Sequence, residues 1–217
     1  MTFTYYLLLF PGAFLAPIIH EFTKARVAAA FGDVTIKKQG LYNFSPKKFF
    51  EPIGFFFLMH FNVGWGQPVQ ISPLYFKDKR KGILFTYVVP MLVNILVGLF
   101  VLFFLRGVMF GISANAISAA AEGNMVWLPN VLVHINTGLF LFAQTSIGLA
   151  VFNLLPINPL AASKILPLIL SPDASVRMTY YEKPLQVIMI IMLVFGFIQM
   201  LVFPIRDSIM AIAGPMF

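Results

Sequence analysis

The chain has 217 residues, 59% of them hydrophobic and only 11% charged, with a mean hydropathy of +0.88. Soluble domains run at roughly 45–50% apolar and about 25% charged. A soluble domain is therefore excluded, and a single multi-pass membrane domain over residues 1–217 is expected. Cysteine is absent, which removes disulfides, thiolate metal ligands and a thiol nucleophile. The net charge of +7 would suit nucleic acid. The basic residues lie in loops between apolar runs, however, which is the positive-inside pattern of a protein whose partner is the lipid bilayer.

Residues 3–31 predict a first span. No charge precedes His20, and Pro11 and Pro17 are tolerable in a membrane helix because neighbours re-satisfy the backbone. No basic segment precedes the apolar run, so it reads as a retained helix and not a cleaved signal. Near its inner end stands His20-Glu21-Phe22-Thr23-Lys24. Ionisable residues inside a span mark a functional site by default. The spacing is similar to the H-E-x-x-H helix of metalloproteases, in which two histidines one turn apart grip zinc and the Glu is general base. The fifth residue here is Lys24.

Gly32-Asp33 stops this helix. Val34 and Ile36 alternate with Thr35 and Lys37, a short-strand signal, and Asn43 and Ser45-Pro46 mark turns. Residues 52–65 are apolar but shorter than a span, which predicts a re-entrant segment. Val69-Gln70-Ile71 reads as a second strand, before the basic cluster Lys77-Asp78-Lys79-Arg80-Lys81. Residues 82–105 form the next span, with Pro90 and Asn94 inside it. Residues 106–127 read as a loop with an interfacial helix, and residues 131–155 as a third span holding His134, Asn136, Gln144 and Asn153. Pro156-Ile157-Asn158-Pro159 breaks it. A mixed segment follows, then a last span over 185–203, closed by Pro204 and Arg206.

With 52–65 re-entrant, Lys37, Lys38, Lys47, Lys48, Lys77, Lys79, Arg80, Lys81, Lys164, Arg177 and Lys183 share one side, and only Arg106 and Arg206 lie opposite. This bias places the basic loops in the cytoplasm and the amino terminus outside, in the cell membrane. His20 and the Asn153–Pro159 stretch then fall at the same depth and can meet. His134 lies about 28 Å from Asn153 at 1.5 Å per residue, at the far side.

These motifs together resemble the site-2 protease family of intramembrane zinc metalloproteases, in its compact bacterial branch. His20-Glu21, then Ala25, Ala28 and Gly32-Asp33, are similar to that family's active-site helix and its exit. Gly40, Pro46 and Glu51-Pro52-Ile53-Gly54 stand where the branch has a Gly, an Asn-Pro and an Asp-Pro-x-Gly. Gly64-Trp65-Gly66-Gln67-Pro68-Val69 resembles its Gly-Trp-Ala-Lys-Pro-Val hairpin, and Pro90-Met91-Leu92-Val93-Asn94 its Gly-Pro-x-x-x-Asn. Asn153-Leu154-Leu155-Pro156-Ile157-Asn158-Pro159-Leu160 resembles its Asn-x-x-Pro-x-x-Pro-Leu. The resemblance covers most of residues 18–166. It implies zinc held by two His of the first helix and the Asp of a following Asp-Gly. Those positions are His20, Lys24 and Ala161, with Ala162 for the Gly, and Phe49 stands where the branch usually has a His. A catalytic zinc needs three protein ligands and an open position, so no cofactor is expected unless substitute ligands exist, His20 with His60 being the pair to consider.

Each residue carries two readings. Lys24 is one turn from both His20 and Glu21. Its charge either stands in for the metal or snorkels to the interface. Glu21 is the family's base, with little to act on if no zinc polarises water. Asn94, Asn153 and Pro159 occupy positions that the resemblance makes client-binding, whereas the two asparagines serve equally as interhelical glue worth about 0.6 kcal/mol each. The fold expected is an all-α integral membrane protein with about four transmembrane helices, one re-entrant segment and a small cytoplasmic β element. The function expected is a zinc-less pseudoprotease that binds a transmembrane or membrane-anchored protein client, with an exposed strand at 34–36 or 69–71 available for β-augmentation. An active intramembrane zinc metalloprotease is the second possibility. A small transporter or channel is the third, against which 52–65 has no inverted counterpart.

Overall fold

The computed structural model describes residues 2–104, 111–112, 115–116, 123, 127–158 and 160–213. Arg106, most of the 106–127 loop and Pro159 lie outside the described residues. Three helices are long and apolar enough to cross a membrane: α1 (Phe3–Ala30), α5 (Lys79–Phe104) and α6 (Leu128–Phe152). The chain is a multi-pass helical membrane protein.

Local chemistry sets the ends of these helices. The carbonyls of Ala28 and Ala29 at the end of α1 accept the N–H groups of Asp33 and Gly32. Gly32 has φ +112°, a conformation that glycine adopts at little cost. α5 begins ahead of the expected residue 82, because Asp78 Oδ1 accepts the Lys81 N–H at 3.0 Å and caps the first turn.

The three spans pack on one another through small residues and a few buried polar links. A Cβ on Gly12 of α1 would lie 2.9 Å from the Phe142 Cα of α6, and one on Gly98 of α5 would meet Ile147. Such close approach is how membrane helices gain van der Waals contact where lipid supplies no hydrophobic drive. Asn94, fully buried in α5, donates to the Ala16 carbonyl of α1 at 3.3 Å, and Ser146 of α6 donates to the Asn94 carbonyl at 2.9 Å. One residue thus ties all three spans.

Residues 50–69 form a hairpin against α1. In it, α4 (Pro52–Phe61) climbs α1 antiparallel, with Phe50 on Phe14, Phe55 on Phe10 and His60 on Tyr6, ring centroids 5.5–5.7 Å apart. Glu51 accepts the Gly54 N–H and caps α4, and Asn62 turns the chain at φ 55°. The return limb runs back so closely that a Cβ on Gly54 would strike the Trp65 carbonyl. A backbone bond from Gln67 N–H to the Phe49 carbonyl (2.9 Å) closes the base. The segment therefore enters and leaves at the same end of α1, as its length predicts.

The expected β element is corrected. Residues 35–38 are a short helix, α2, and no strand occurs among the described residues. Asp33 Oδ1 accepts both the N–H and the hydroxyl of Thr35, which winds the chain instead of extending it. The backbone at 69–72 is extended, but side chains take its polar groups: Glu21 accepts from Val69 N–H, Asp33 from Ser72 N–H, and Gln39 donates to the Gln70 carbonyl. These three bonds hold the stretch against α1 and α2 in place of a strand pairing.

A short α3 (Pro46–Phe49) precedes the hairpin, and α7 (Ala161–Ile165) and α8 (Pro172–Tyr180) follow α6. The expected last span is a bent pair, α9 (Glu182–Val194) and α10 (Phe197–Met210), turned by 74° at Gly196, which has φ +85°; taken as one broken span, it makes a fourth crossing. Pro204 and Arg206 lie inside α10 and do not close it. Arg206 is buried, and a Cβ on Gly148 would lie 3.4 Å from its Cδ. The basic loops gather at one end of the molecule. Lys77 N–H bonds the Phe31 carbonyl, Arg80 bonds the Leu168 carbonyl, and Lys164 pairs with Glu182.

Candidate functional site

The last turns of α1 carry three consecutive ionisable side chains into the interior. His20, Glu21 and Lys24 are 3%, 7% and 5% exposed. Lys24 Nζ stands 2.7 Å from Glu21 Oε2 and 3.0 Å from Oε1, the reach expected one helical turn away. Its side chain folds back on Glu21 instead of extending to the interface. Oε2 also accepts the Val69 N–H at 2.9 Å, from the limb that leaves the hairpin. The Tyr87 ring of α5 lies 5.5 Å from the ammonium, a cation–π distance. The carboxylate thus has three charge-matched donor contacts, and the ammonium has the carboxylate and a π face.

His20 faces a cavity lined by Glu21, Trp65, Gly66, Pro68, Leu149, Asn153 and Leu160. Its volume of about 10 Å³ is roughly the space of one water molecule. Gly66 lets the strap pass α1, where a Cβ would come within 3.0 Å of the Pro17 carbonyl. His20 Nδ1 is buried without a hydrogen-bond partner among the described residues. Asn153 lines the cavity, but both ends of its amide are used. Nδ2 donates to the Leu149 carbonyl (2.9 Å) and Oδ1 accepts the Ala161 N–H (3.3 Å). Asn153 therefore fixes the break after α6 and carries Leu160 to the cavity wall. Ala161, where the resemblance implies an acidic ligand, is buried beside Met91 and Ala150.

The structure thus brings His20, Glu21, Lys24 and Asn153 together, with Ala161 one residue from the wall. Asn94 lies in the interior as a helix tie, its Oδ1 buried without a partner among the described residues. Pro159 lies outside the described residues. The His20–His60 pair is not formed. His60 is exposed, donates from Nδ1 to the Phe56 carbonyl (3.1 Å) and stacks on Phe56 at 4.3 Å beside Tyr6. Tyr6 and His20 are about 21 Å apart along α1 at 1.5 Å per residue. α4 climbs away from the site, which is why its histidine ends at the wrong height. Tyr87 was not singled out in the sequence; it stands seven residues before Asn94, two turns away on one face, and that periodicity is the signal that could have found it.

The side chains present do not suit zinc. Of the three positions at which the resemblance implies zinc ligands, only His20 offers a donor. Lys24 is an ammonium held by Glu21, and Ala161 presents a methyl. No three His, Asp, Glu or Cys side chains converge among the described residues.

A Bacillus subtilis (strain 168) protein named "Putative zinc metalloprotease YwhC" is 28% identical over 204 residues, covering 92% of this chain and 87% of that protein. Its name agrees with the metalloprotease resemblance of the motifs. No protein-family model matches the chain, and no solved structure matches it significantly.

Proposed function

We propose that the chain is a site-2-protease-like membrane protein of the cell membrane, basic loops in the cytoplasm. Its site has lost zinc-dependent hydrolysis and serves to bind or regulate a transmembrane or membrane-anchored protein client. The observation that carries this proposal is the Lys24–Glu21 contact at 2.7 Å, on an oxygen that Val69 N–H also occupies. A general base must be free to accept a proton from water within hydrogen-bond reach. Glu21 is instead held on both oxygens by a fixed cation and on one of them by a backbone donor. Lys24 supplies one positive charge where the family places a metal, so the site keeps its charge balance without a Lewis acid. The ordered motifs and the curated relative support the protease ancestry. The client is inferred from what such a cleft can still do once water activation is gone.

Metal analysis tests the proposal. Protein purified in mild detergent and dialysed against zinc is expected to hold well under one zinc per chain and to leave a membrane-anchored reporter substrate uncut. Stoichiometric zinc that disappears in His20→Ala would favour the second reading, an active intramembrane metalloprotease with substitute ligands, which draws its support from the relative's name.

A further inference from the structure

A second recess lies on the other side of the α6 break. Its volume is about 390 Å³, and every lining side chain is apolar, including Val88 and Ile95 from α5, Ala150 and Leu154 from α6, and Ile165 and Ile169 beyond it. Leu92, Leu154 and Ile169 on its walls are 50%, 54% and 79% exposed, so it opens laterally. Val88 and Ile95 share one face of α5 and are about 10 Å apart along it.

At one end the recess meets the basic loops. Arg80 Nη2 donates to the Leu168 carbonyl at 2.9 Å, which holds the guanidinium between the lining residues Leu166 and Ile169. The group has five N–H donors, and this contact uses one. Lys164 precedes the lining Ile165, and its partner Glu182 is 3.2 Å away, with both side chains about one-third exposed. Lys79 and Lys81 flank Arg80, and Asp78 pairs loosely with Lys81 at 3.7 Å. Arg80 is thus the cation that a contact fixes at this end of the recess, and Lys164 with its partner Glu182 adjoins the lining Ile165.

We propose that this recess binds an anionic phospholipid, one acyl chain lying between α5, α6 and α7 and the phosphate held by Arg80. The apolar wall and the cationic rim are the two halves of that ligand, and basic pockets between membrane helices take anionic head groups. Arginine suits the phosphate because its planar fork donates two parallel hydrogen bonds. The volume fits a ligand of this size.

Native mass spectrometry of the full chain, delipidated in detergent and equilibrated with equimolar dioleoyl phosphatidylglycerol and dioleoyl phosphatidylcholine, tests the assignment. One phosphatidylglycerol per chain is expected, preferred about fivefold. Arg80→Gln should bring the preference close to unity. Leu92→Trp, at an exposed wall position where the fold is not at stake, should reduce retention of both lipids. Equal binding of the two lipids by the parent chain would mean ordinary boundary lipid and would overturn the proposal. So would a preference that survives Arg80→Gln, retention that Leu92→Trp leaves unchanged, or a photoreactive side chain at position 92 that captures a protein in membranes instead of lipid.

Discussion

Glu21 governs the charge balance of the interior, because its carboxylate is buried and all of its contacts are named: Lys24 on both oxygens and Val69 N–H on one. Removing one member of a buried pair leaves an uncompensated charge at a cost of about 3–5 kcal/mol, whereas removing both is close to neutral. Lys24→Ala is therefore expected to lower thermal stability in detergent sharply, and Glu21→Gln with Lys24→Ala to recover most of the loss. A coupling energy near zero across the four variants would show that Lys24 does not compensate Glu21. The pair was legible in the sequence, since residues three apart share a helix face. Its choice between compensation and snorkelling was not, because the decision rests on Val69 and Tyr87, which approach from distant segments and have no local signature at α1.

At the scale of elements, the 50–69 hairpin depends on two close approaches. A Cβ on Gly54 would run into the Trp65 carbonyl, and one on Gly64 into the Gly54 carbonyl. Gly54→Ala is expected to cost about 1–3 kcal/mol through backbone overpacking, read as a fall in the unfolding temperature. Gly138→Ala provides the contrast. Its nearest neighbours would be Leu8 atoms at 3.6–3.7 Å, ordinary contact, so the gain in helix propensity should leave stability unchanged or raised by up to about 1 kcal/mol. The hairpin could be read from length alone, since the apolar run is too short to span. The two strands were misread because alternation of Val34 and Ile36 ignores Asp33, whose carboxylate closes a turn on Thr35 and reaches across to Ser72. The bend at Gly196 is hidden in an unbroken apolar run, where composition looks the same for a straight helix and a folded pair.

For the whole molecule, the gathering of basic loops at one end fixes a testable orientation. The chain has no cysteine, so single substitutions report sidedness cleanly. Lys38→Cys, Lys79→Cys and Val176→Cys should all resist an impermeant thiol reagent in intact cells, while Thr2→Cys should react. Labelling at position 79 alone would mean that residues 52–65 cross the bilayer. Counting Lys and Arg proposes the orientation, and this labelling reads it. The hairpin has one more consequence, which concerns the order of synthesis. Among the described residues, the Glu21 carboxylate is hydrogen-bonded by Lys24 and Val69, and the hairpin packs on the helix made just before it. This buried charge is thus matched by groups already synthesised before α5 and α6 emerge. The later helices close around a neutralised site, and their slower, long-range docking never has to carry an unpaired carboxylate into lipid.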